Sequence, residues 1–152
     1  MFERFTEDAR RALFFAREKT VQRNGDSITP EDLLGGIVWA TPNVIPRLGA
    51  KAKETMTPTE KADDFMSRLS HDKTLNAHTR REVPFCQATR LALQAAAEEA
   101  DELGHNAIRP EHLLLGLLRD ESTQASHTLR EAGVTLRELR RMLADEPGEQ
   151  DR

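Results

Sequence analysis

The sequence predicts an all-helical domain built from two copies of one repeat, and three observations carry that expectation. The chain repeats itself: I-T-P-E-D-L-L-G-G-I at 28–37 returns as I-R-P-E-H-L-L-L-G-L at 108–117, 80 positions later. The same offset pairs Phe5 with Phe85, Arg10 with Arg90, Ala12 with Ala92, Leu13 with Leu93, Ala16 with Ala96 and Glu18 with Glu98. Apolar residues recur at helical spacing between recognisable caps. Tyr is absent and aromatic residues make up 5% of the chain, so the core rests on Leu, Ala and a few Phe, which favours helix over sheet.

The first long helix of each copy is the clearest element. Phe5, Ala9, Ala12, Leu13, Ala16 and Thr20 share a face, with Thr6 as N-cap and Gly25 as the expected stop. Phe85, Ala92, Leu93, Ala96, Ala100 and Leu103 repeat that stripe, which ends at Gly104. A second helix then opens on a proline at its first position. Pro30 follows Thr29, a good cap, and Pro110 follows Arg109, a poor one. Leu33, Leu34, Ile37 and Val38 form its buried face in one copy, and Leu113, Leu114, Leu117 and Leu118 in the other. Gly36 and Gly116 recur inside these helices, where Gly costs about 1 kcal/mol relative to Ala. A close helix crossing accounts for that cost.

Past this point the offset slips from 80 to 84, because R-L-G at 47–49 matches E-A-G at 131–133; the third element is therefore shorter in the first copy. Capping boxes T-P-T-E at 57–60 and T-L-R-E at 135–138 open the closing helices. Ala62, Phe65, Met66 and Leu69 line one of them, and Leu136, Leu139, Met142 and Leu143 the other. Repeat one thus spans 1–69, a polar linker 70–84, repeat two 85–144 and a polar tail 145–152. With four helices per copy and a marginal core in each, the copies are expected to pack together by pseudo-twofold symmetry, as a monomer.

Composition narrows the function classes. A net charge of −4 gives no basic face for nucleic acid. The single cysteine, Cys86, precludes an internal disulfide and suits a reducing cytoplasm. The charged N-terminal stretch lacks the apolar run of a signal peptide, and no segment approaches the roughly 18 apolar residues of a membrane span. No G-x-x-x-x-G-K loop, G-x-S-x-G elbow or H-E-x-x-H motif is present, and the histidines at 71, 78, 105, 112 and 127 lack convergent ligand spacing. No enzyme, metal or cofactor is expected. Cys86 reads as a half-buried residue at a helix start rather than a nucleophile.

One chemical signal remains. Glu31 and Glu111 each sit just inside a helix N-terminus. Dipole complementation explains any acidic residue there, at about 0.3–1 kcal/mol. The functional account is a carboxylate that binds a cation beside an anion-accepting helix end, a geometry suited to a guanidinium bearing a phosphate.

The two Pro-Glu motifs, the opening M-F-E-R-F-T, V-P-F at 83–85 and above all E-A-D-E-L-G-H-N-A-I-R-P-E-H-L-L-L-G-L-L at 99–118 resemble the double Clp N repeat, the N-terminal domain of Clp unfoldase ATPases, closest to the ClpC branch. The resemblance runs over roughly 1–144 and is weakest at 40–83. It implies a compact eight-helix bundle that captures substrates and adaptors for an ATPase ring and, in the ClpC branch, reads phosphorylated arginine. The matching positions are Glu31 and Glu111, for the guanidinium. The family's Gly-Thr before that glutamate is Thr29-Pro30 and Arg109-Pro110 here, which removes a hydroxyl and a backbone donor at each site. Arg109 offers partial compensation as a phosphate partner.

A second implied surface binds cyclic peptides and adaptors; its positions are Met1, Phe2, Leu13, Phe85, Arg90, Leu93 and Gln94, of which Phe85 and Leu93 also fit an ordinary core. The expected function is a non-catalytic protein-binding domain of the Clp proteolysis system, a stand-alone adaptor or decoy; the alternative is the excised N-terminal domain of a full ClpC-type ATPase. Replacing Glu31 and Glu111 by Ala is expected to abolish phospho-arginine binding and leave stability nearly unchanged.

Overall fold

A computed structural model describes residues 3–41, Val44 and 83–145. Six helices lie in this part of the chain. The first copy contributes α1 (Glu7–Gln22) and α2 (Pro30–Ala40). The second contributes α3 (Gln87–Glu102), α4 (Pro110–Arg119), α5 (Gln124–Glu131) and α6 (Leu136–Ala144). The expected closing helix of the first copy, at 57–69, and most of the linker lie outside the described residues.

The caps are where the sequence placed them. Thr6 opens α1 by accepting from the Ala9 N–H, and Thr29 accepts from Asp32 while Asp32 accepts back from the Thr29 N–H, closing a capping box. Thr135 caps α6 by accepting from the Glu138 N–H, without the return bond of the expected box. Thr123, which the sequence did not single out, caps α5 by accepting from the Ser126 N–H. The expected stop at Gly25 is displaced by one residue. Asn24 carries the positive φ, 58°, and its counterpart Gly104 has φ of 74°. Asn tolerates the left-handed conformation through its short polar side chain, so glycine is not required there.

Each α1/α2 and α3/α4 pair crosses at its glycine. A Cβ on Gly36 would stand 2.2 Å from the Ala12 carbonyl oxygen, and one on Gly116 would stand 2.1 Å from that of Ala92. Both contacts are with backbone, so no rotamer change relieves them. Close crossing therefore outweighs the helix-propensity cost of glycine. Around the crossings one continuous core gathers Phe15, Leu33 and Ile37 from one copy and Leu113, Leu117 and Leu129 from the other. Nine of the ten residues of α4, Pro110 to Leu118, are buried, as expected of a helix apolar on nearly all sides.

The two copies are joined by a symmetric exchange. Phe5 bridges Ile108 and Ile28 bridges Phe85, both in parallel, and the offset of 80 converts one bridge into the other. Four backbone hydrogen bonds repeat the symmetry. Thr6 donates to Ile108 and Ile108 to Arg4; Cys86 donates to Ile28 and Ile28 to Pro84. Pseudo-twofold packing is thus built into the backbone. Arg4 adds a one-sided clamp, its guanidinium reaching Asp101 at 2.7 Å and the Asn106 carbonyl at 3.0 Å, where its counterpart Pro84 has no side-chain donor.

Candidate recognition site at the paired helix starts

Pro30 and Pro110 begin α2 and α4, and Glu31 and Glu111 follow in the first turn. Their surroundings differ. Glu31 is exposed, but one carboxylate oxygen crosses between copies and accepts from the Ala125 N–H at 2.9 Å. Ala125 lies in the first turn of α5, so Glu31 complements the positive end of a helix in the other copy rather than only its own. Sequence reasoning missed this partner because 94 residues separate the two. Glu111, by contrast, is 7% exposed.

The residues that hold these helix starts also diverge. In the first copy Asp32 is buried and receives the Thr20 hydroxyl at 2.7 Å, the Thr29 N–H at 3.0 Å and Arg23 Nη2 at 2.6 Å. Burial alone would raise its pKa, yet the hydrogen bonds from Arg23, Thr29 and Thr20 hold it below the ordinary value of 3.8. In the second copy the position of Asp32 is His112, fully enclosed. The Arg109 N–H donates to His112 Nδ1 at 2.9 Å, which leaves the ring proton on Nε2, and Nε2–H donates to His105 Nδ1 at 2.9 Å. A neutral imidazole pair does in one copy what a carboxylate and a guanidinium do in the other. Arg109 has no acceptor to cap α4 with its side chain, so His112 supplies half of a box.

Thr29 and Arg109, the expected phosphate partners, are both half-buried; the Thr29 hydroxyl already accepts from Asp32. Of the second expected surface, Met1 and Phe2 lie outside the described residues. Leu13 is buried in the core at 9% exposure; Phe85 and Leu93 are half-buried against it. Arg90 and Gln94 are exposed on α3. Cys86 is the N-cap of α3 with its Sγ 3.3 Å from Thr89 Oγ1. Among the described residues no cluster of three or more His, Cys, Asp or Glu is placed to hold a metal, and no helix is long and apolar enough to cross a membrane.

A fold of paired helical repeats, bridged copy to copy and presenting two homologous helix starts, defines a Clp N-type domain. Residues 84–152 match the Clp repeat (R) N-terminal domain family, and the chain is related through most of its length to ClpC and ClpA chaperones. It is 31% identical to the ClpA homolog of Guillardia theta, over 95% of this chain and 18% of that protein. It is also 31% identical to chloroplastic ClpC1 of Oryza sativa, over 98% of this chain and 16% of that protein. The chain thus spans less than a fifth of these curated relatives. The N-terminal domain of ClpD from Arabidopsis thaliana shares the fold with a TM-score of 0.62 and 23% identity, covering 95% of this chain and 94% of that one. The Hsp104 N-terminal domain of Candida albicans does so with a TM-score of 0.59 and 20% identity, covering 95% and 91%.

Proposed function

We propose that this chain is a non-catalytic recognition domain that binds client or adaptor proteins of a Clp proteolysis system in the cytoplasm. The relationship to ClpC over 98% of the chain carries this reading. A pull-down from native lysate tests it: the full chain is expected to retain a defined set of proteins, and retention no greater than on bare resin would overturn it.

The finer reading assigns the guanidinium of phosphorylated arginine to Glu31. Its support is geometric. Glu31 is exposed, and its carboxylate stands beside the N-terminus of α5, where an anion is also favoured. Glu31→Gln is the informative variant because an amide oxygen keeps the bond to Ala125 while the charge is lost. Glu31→Ala removes that bond as well, so the expected neutrality of alanine at this position no longer holds. It should cost about 0.5–2 kcal/mol.

A further inference from the structure

We propose that the wedge between α3 and α4 is a docking pocket for a partner segment that presents an aromatic side chain next to a basic one. The two copies supply the argument. In the first, the wedge beside Gly36 is filled from within: Phe15 and Trp39 pack edge to face, centroids 6.1 Å apart and both buried. Lys19 Nζ lies 5.1 Å from the Trp39 ring centroid, a cation over an aromatic face.

At the offset of 80, Phe15 becomes Ala95 and Trp39 becomes Arg119. The rings are gone, and an open cavity of about 410 Å³ lies beside Gly116. That volume falls within the range of ligand sites. A third exchange points the same way. Arg11, on the surface of α1, becomes Leu91, which is 52% exposed at the lip of the cavity. An arginine there would be costless, whereas an exposed leucine beside a vacant aromatic site forms an apolar entrance.

Charge selects the neighbour of the inserted ring. Glu98 and Asp120 line the cavity near the C-terminal end of α4, where the helix dipole is also negative. Arg119 is tied to Glu98 at 2.8 Å and also approaches buried Glu99 at 3.7 Å, while the Ser122 N–H and hydroxyl reach one oxygen of Asp120. The rim therefore keeps a net negative charge that favours Lys or Arg beside the ring, the pairing that Lys19 and Trp39 make within the first copy. Of the positions on the resemblance-derived surface, Gln94 lines this cavity, and Glu31 and Glu111 do not, so failure of phospho-arginine binding leaves the pocket standing.

The test is amide-shift titration of the labelled full chain with three probes: N-acetyl-Phe-Lys-amide, N-acetyl-Ala-Lys-amide and N-acetyl-Phe-Glu-amide. Phe-Lys is expected to shift Leu91, Ala95 and Gly116 and to bind about tenfold more tightly than either control. Ala95→Phe with Arg119→Trp rebuilds the filling of the first copy and should abolish those shifts. Leu91→Arg, at an exposed position, should weaken binding without disturbing the fold, which keeps the test decisive if the filled variant does not fold. Equal binding of the three probes, shifts confined to other helices, no shift with Phe-Lys, or unchanged binding by Leu91→Arg would overturn the proposal.

Discussion

The two copies share a backbone plan but solve the same local problems with different chemistry. At the helix crossings they agree, since Gly36 and Gly116 each bring a helix within contact of a carbonyl. At the start of the second helix they part: Asp32 with Arg23 and Thr20 in one copy, His112 with His105 in the other. What is conserved between copies is geometry that no side chain can replace. What differs is polar satisfaction, which several residue types can provide. The two helix starts differ in exposure as well, Glu31 being exposed and Glu111 only 7% exposed.

The shared feature gives the largest expected effects. Gly36→Ala and Gly116→Ala should each cost about 3 kcal/mol, since a Cβ meets backbone and the helices must separate. Chemical denaturation checks this, and a difference of more than about 2 kcal/mol between the two would break the equivalence of the crossings.

Next come the divergent caps. Asp32→Ala should cost about 1–3 kcal/mol through the lost capping box and the lost buried acceptor of the Thr29 N–H and Arg23, while the Thr20 hydroxyl keeps the Ala16 carbonyl at 2.9 Å. His112→Ala should cost about 1–3 kcal/mol, removing the Nδ1 acceptor of the Arg109 N–H and the ring partner of His105. Thermal unfolding of both variants gives the order.

Protonation sharpens the same contrast. The pKa of Asp32 is lowered by folding, so its contribution is present above its unfolded value near 3.8 and is lost as pH falls through the lower folded value. The acid limb of stability against pH should flatten in Asp32→Asn. Glu18 behaves oppositely. Burial raises its pKa, offset in part by Arg17 at 3.1 Å, so its ionisation destabilises the fold as pH rises from 4.5 through the folded value. Glu18→Gln should therefore raise the melting temperature at neutral pH and lose that gain below pH 4.5. Its counterpart Glu98→Gln should change little, as Glu98 is exposed and its ion pair with Arg119 is a surface one.

Much of the fold was legible because its determinants are local or self-similar. Helical periodicity and the offset of 80 predicted both long helices and the glycine crossings, and residue type alone the Thr6 and Thr29 caps, each of which depends on a few neighbouring residues. The stop of α1 falls one residue before the expected Gly25 because Asn24, which tolerates the left-handed conformation, takes the turn. The site was less legible. Nothing near Glu31 in sequence announces a bond to Ala125, and only pairing Asp32 with His112 at the common offset hints at the histidine relay. Those contacts depend on how the copies pack, which periodicity does not encode.

We propose that the domain recognises arginine-phosphorylated proteins through one open helix start, that of Glu31, rather than through two equal ones. Calorimetric titration of the full chain with a phospho-arginine peptide, against its unmodified twin, tests it most directly. The account predicts a single binding event, abolished by Glu31→Gln and retained by Glu111→Gln. Two equal sites, loss through Glu111→Gln alone, or no preference for the phosphorylated peptide would contradict it.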